Sequence, residues 1–108
     1  KPGKTGRIRI GDHAASIRVS TEPYKNGEGI SLTAKEFDIL RLLAGNPSRV
    51  YTKIQIYESV WDENFLKDEN VINVTIGGCG RKLKITSAPV YIKTVWGIGY
   101  KMGTGEAE

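Results

Sequence analysis

Three features of the sequence predict an α+β fold, with a small antiparallel sheet first, three helices next and a β-hairpin last. Apolar residues alternate with polar ones in the first third and switch to helical spacing after Leu32. Two capping boxes, Thr33-Ala34-Lys35-Glu36 and Thr52-Lys53-Ile54-Gln55, stand where helical spacing begins. Residues 90–102 read as strand, glycine-x-glycine turn and returning strand.

The elements follow in order. Lys1 to Gly6 reads as a linker remnant, residues 7–103 as the domain and 104–108 as a tail. Arg7-Ile8-Arg9-Ile10 and Ser16-Ile17-Arg18-Val19 alternate as half-buried strands do, with Gly11-Asp12 as punctuation. A third extended piece surrounds Tyr24, and Asn26-Gly27 turns the chain before Ile30-Ser31-Leu32. Thr33 and Glu36 then satisfy each other's orphan amides, and Phe37, Leu40, Leu43 and Ala44 follow at helical spacing. Gly45 and Pro47 end that helix, with a left-handed glycine cap expected. The second capping box opens a helix with Ile56, Val60 and Trp61 as its apolar positions. Asp62 to Lys67 reads as a loop, although Phe65 and Leu66 lie within it. Asp68 caps a third helix, whose Ile72, Ile76, Cys79 and Leu83 form a narrow stripe at spacings of four, three and four. Its other faces carry Asn70, Asn73, Thr75, Arg81, Lys82 and Lys84, and Pro89 stops it. Val90 to Val95, Gly97-Ile98-Gly99 and Tyr100-Lys101-Met102 make the hairpin.

Composition excludes several classes of function. With 108 residues, 39% hydrophobic and 26% charged, the chain suits one soluble globular domain and not a disordered tail. No apolar run approaches the roughly 20 residues of a membrane span, and no charged-then-apolar leader is present. Cys79 is the only cysteine and His13 the only histidine, so neither an internal disulfide nor a four-ligand zinc site can form. A cytoplasmic setting without a cofactor is therefore expected. Gly77-Gly78-Cys79-Gly80-Arg81-Lys82 lacks the spacing of a phosphate loop. Gly97-Ile98-Gly99 lacks the third glycine and the βαβ context of a dinucleotide site. Cys79 has no base nearby in sequence and sits on the apolar stripe, so it reads as core filler and no catalysis is expected. The net charge of +4 suits a polyanionic partner but does not single one out.

The order of elements is more telling than the charge. Two helices joined by a loop, the later one bearing a polar and partly basic face, followed by a hairpin, form a helix-turn-helix with a β wing. One helix of such a unit enters the major groove, and the hairpin touches the neighbouring backbone or minor groove. At this point a family resemblance emerges. The run SLTAKEFDILRLLAGNPSRVYTKIQIYESVW resembles the first two helices of the OmpR/PhoB-type output domain of bacterial response regulators. DENVINVTI followed by RKL resembles that family's recognition helix, and YIKTVWGIGYKM its wing. The resemblance implies sequence-specific binding of double-stranded promoter DNA by a transcriptional regulator switched by phosphorylation outside these residues. It implies phosphate contacts from Lys53 and Trp61, and a groove-facing set of Asn70, Val71 and Thr75. It also implies backbone or minor-groove contacts from Thr94, Trp96 and Tyr100. Asn73, Gly77, Gly78, Arg81 and Lys82 complete the expected DNA-binding residues. The loop 62–67 resembles the segment with which some members touch RNA polymerase, and a homodimeric parent protein is implied.

Two positions depart from the family. It usually carries arginines just after the position of Ile76, where this sequence has Gly77-Gly78-Cys79-Gly80. Glycine neither reads guanine nor grips phosphate, and three interior glycines cost a helix roughly 3 kcal/mol relative to alanine. Three readings stay open: the helix persists and the glycines admit DNA closely, it breaks near Gly77 and orders on binding, or the domain works mainly through protein contacts. Trp96 stands where the family often has arginine and cannot carry charge into a narrow minor groove. A DNA affinity below the family norm, or one that needs dimerisation, is the expectation. The alternative function is a winged-helix protein-interaction module.

Overall fold

The alternating first third does form paired strands, and the helical spacing after Leu32 does form helices. The computed structural model describes residues 5–9, 16–20, 30–61, 69–86 and 90–104. Strands β1 (Thr5–Arg9), β2 (Ser16–Ser20) and β3 (Ile30–Ser31) precede helices α1 (Ala34–Gly45), α2 (Lys53–Val60) and α3 (Glu69–Ile85), and strands β4 (Val90–Val95) and β5 (Gly99–Thr104) close the chain. Thr5 and Gly6 belong to β1 and Thr104 to β5, so both outer strands run slightly past the limits read from sequence. The Asn26-Gly27 turn, the extended piece around Tyr24, the Asp68 cap, Pro89 and the loop 62–67 lie outside the described residues.

β1 and β2 pair antiparallel, with Ile8 opposite Ile17. β3 departs from the expected antiparallel sheet and pairs with β2 in the parallel sense, Val19 opposite Ile30. Only two residue pairs form that ladder, so burial rather than hydrogen bonding sets its position: Ile8, Ile17, Val19 and Ile30 all sink into the core.

Both capping boxes form as written in the sequence. Thr33 Oγ1 accepts from Glu36 N–H and Glu36 Oε1 accepts from Thr33 N–H. Thr52 and Gln55 repeat the exchange for α2. α1 runs through Gly45 and ends on Asn46 at φ −139°, so the expected left-handed glycine cap does not form. Trp61 is the C-cap of α2, just past its last turn. Ile39, Leu40, Leu43, Ile56, Ile72, Cys79 and Leu83 are fully buried, which places the centre of the core where the three helices meet.

α3 continues unbroken through Gly77, Gly78 and Gly80. The helix itself therefore persists, as the first of the three readings has it, and does not break near Gly77. Burying Ile72, Ile76 and Leu83 yields about 1.5–3 kcal/mol each, which exceeds the glycine cost. The hairpin turns at Trp96-Gly97-Ile98, where Ile98 N–H donates to Val95 O at 3.0 Å. Gly97 has φ +80°, a conformation open to glycine at little cost. The hairpin is docked on the α1–α2 connection by reciprocal backbone bonds between Tyr51 and Tyr100, at 2.8 and 2.9 Å.

Candidate nucleic-acid interface

The interface is set by which side of α3 faces the core. A helix turns about 100° per residue, so burial of Ile72, Ile76, Cys79 and Leu83 turns Asn70, Val74, Gly77 and Arg81 outward. Asn70, Asn73, Val74, Arg81 and Lys84 are exposed. Val74, 63% exposed, joins this face without being among the residues expected from sequence. Its position a half-turn from the buried stripe was the available signal, masked there by its apolar character.

The expected DNA-facing set divides. Val71 and Thr75 are half-buried, and Thr75 Oγ1 donates to Val71 O at 2.7 Å, so its proton is committed within the helix. Gly78 and Lys82 continue that ridge toward α1 instead of outward. Gly78 is buried beneath Glu36: a β-carbon built on it would lie 2.6 Å from Glu36 Oε2. Lys82 Nζ donates to Glu36 Oε1 at 2.6 Å. Glu36 is only 6% exposed, and its second role in the α1 capping box explains why an acidic residue is tolerated there. Gly78 and Lys82 thus lie on the side of α3 toward α1, where the buried Glu36 carboxylate takes Lys82 as its cation and crowds position 78.

Gly77 and Arg81 do stay on the outward side. The hairpin stands beside them. Tyr100 OH donates to Asn73 Oδ1 at 3.4 Å, joining the wing to α3. Thr94 and Lys93 are exposed on β4, and Trp96 at the tip is 89% exposed. Between α3 and β4 runs a groove of about 610 Å³, walled by Gly77, Arg81 and Lys84 on one side and Lys93, Thr94 and Trp96 on the other. Among the described residues its lining holds Arg81, Lys84 and Lys93 but no carboxylate. A second groove, of about 420 Å³, separates Lys53 and Ile54 of α2 from the hairpin turn. Lys53 is therefore brought to the wing.

Trp61 is placed differently. Its ring stacks on Tyr57 with centroids 5.0 Å apart, and Lys35 Nζ lies 5.5 Å from the ring centroid while donating to Val60 O at 3.1 Å. These contacts pin the end of α2 to the start of α1. Cys79 is fully enclosed, and burial first, then the negative Glu36, pushes its thiol up to about 12 against a lowering pull from Lys82. That thiol is no nucleophile at neutral pH. Among the described residues no group of three or more His, Cys, Asp or Glu could hold a metal, and no helix is long and apolar enough to cross a membrane.

Residues 27–102 match the family model described as "Transcriptional regulatory protein, C terminal". The chain belongs to that family. The family spans α1, α2, α3 and the hairpin up to Met102, so it includes both walls of the cationic groove. The chain is similar to the transcriptional regulatory protein YcbL of Bacillus subtilis (strain 168), 51% identical over 104 residues, which cover 95% of this chain and 46% of the relative. It is similar to the regulatory protein VanR of Enterococcus faecium, 44% identical over 89 residues, or 80% of this chain and 38% of the relative. This chain thus spans less than half the length of either. In three dimensions it resembles the DNA-binding domain of Klebsiella pneumoniae RstA, with a TM-score of 0.64 and 22% identity over 90% of this chain and 96% of that one. The OmpR/PhoB-type resemblance and the winged-helix architecture are both borne out.

Proposed function

We propose that this chain is the DNA-binding output module of a two-component transcriptional regulator, with α3 in the major groove and the hairpin on the adjoining backbone or minor groove. One observation carries this reading: the outward face of an intact α3 and the wing beside it enclose a groove with cations on both walls and, among the described residues, no carboxylate. Such a surface suits a phosphate strand, while Asn70 and Asn73 offer amides of the kind that read adenine edges. The RstA domain was solved in complex with its RstA box, which supports the same role for a chain of this family and fold.

The parent protein, on this reading, works in the cytoplasm as a homodimer, carries its phosphorylation switch outside these residues and touches RNA polymerase through the loop 62–67. The module itself performs no chemistry. Titration of the chain into a fluorescent promoter duplex at two salt concentrations tests the DNA reading. Lys84 and Lys93 on two phosphates give a salt slope of about −1.8, hence roughly twelvefold weaker binding at 200 mM than at 50 mM salt. Binding that is absent at 50 mM, or indifferent to salt, removes DNA as the partner.

A further inference from the structure

The glycine cluster and Arg81 act together. A helical side chain leans toward the N-terminus, over the turn before its own α-carbon. For Arg81 that turn is Gly77-Gly78. β-Carbons built on those two residues would lie 3.7 Å from Arg81 Nη1 and 3.9 Å from Nη2 respectively, so the guanidinium straddles both positions. With hydrogen in place of a side chain at each, it rests against bare helix about one turn, or 5.4 Å, N-terminal to its own attachment. Glu36 Oε2 adjoins the same spot, 2.6 Å from the built Gly78 β-carbon, and places negative charge beside the seat. Its other oxygen, Oε1, already accepts from Thr33 N–H and Lys82 Nζ.

We infer that Gly77 and Gly78 are positioning residues that carry the Arg81 guanidinium to the middle of the outward face of α3, where it reads a guanine edge. The inference deepens the DNA reading above and rests on it. Recognition helices contact bases mainly through their N-terminal part, so a fork shifted one turn that way moves from the backbone toward base edges. Arginine's paired N–H groups match O6 and N7 of guanine, and lysine's point charge does not. The arginines missing at 77 and 78 are thereby replaced from one turn further on. Glycine at those positions is then a requirement of the readout, and not simply a loss of charge.

The test uses a duplex selected by the wild-type chain from a random library, with 7-deazaguanine replacing one guanine at a time to remove N7. At one guanine the wild type loses about tenfold in affinity. Arg81→Lys and Gly77→Leu bind the parent duplex more weakly and no longer sense that replacement. Gly77→Leu keeps the arginine and adds a helix-forming residue, and circular dichroism checks its fold. Gly80→Ala, a control at a position with open space around it, retains the wild-type response. The inference is overturned if every guanine tolerates the replacement in the wild type, or if Arg81→Lys keeps both affinity and sensitivity. Failure of the wild type to select any duplex would instead overturn the DNA reading itself.

Discussion

Cys79 shows how a single side chain is disarmed by its surroundings. It lies in the core between Ile76 and Leu83 on the buried stripe, and its Sγ is 3.9 Å from Glu36 O. The folded protein holds the thiol proton up to about pH 12, whereas an unburied thiol gives it up near 9.0. The folded pKa is the higher one, so the contribution to stability is complete below about pH 9 and is lost as pH rises toward 12. At pH 8 the folded chain should react with Ellman's reagent only as fast as it unfolds, and fully in guanidinium; rapid labelling of the native protein would contradict the burial. Glu36 is the counter-example, a charged group that the core keeps. Thr33 N–H and Lys82 Nζ satisfy it, and Lys82 is thereby drawn off the outward face.

At the scale of the element, α3 withstands its glycines because its buried side is continuous. The three glycines of α3 are not equivalent. Around Gly80 a new β-carbon meets nothing within 4 Å, whereas at Gly78 it would press on Glu36. Gly80→Ala should therefore stabilise the domain by about 1 kcal/mol, read as a higher urea midpoint at unchanged slope. Gly78→Ala should gain less in the same assay, because the Glu36 carboxylate must shift to admit the methyl. Equal shifts for the two would mean that the Glu36 contact does not govern the site.

On the scale of the whole molecule, the interface depends on holding the wing against the helices. Gly99 makes that possible, because a β-carbon there would overlap the Tyr51 carbonyl oxygen that receives the Tyr100 N–H bond. Gly99→Ala should cost about 1–3 kcal/mol, as overpacking does, lower the melting temperature by several degrees and expose the Tyr100 amide to exchange. A melting temperature equal to the wild type's would show that the wing is not anchored there. Local chemistry made much of this legible in advance. Capping boxes, the period switch and the buried stripe are interactions within a turn or two of chain, so the three helices, the hairpin and the burial of Ile72, Ile76, Cys79 and Leu83 are legible from the residues alone. The parallel pairing of β3, the Tyr51–Tyr100 anchor, the turn of Gly78 and Lys82 toward Glu36 and the seat of Arg81 emerge only once the elements pack together. Each depends on a partner distant in sequence, and periodicity records which face of a helix is apolar but not which side chain will meet it there.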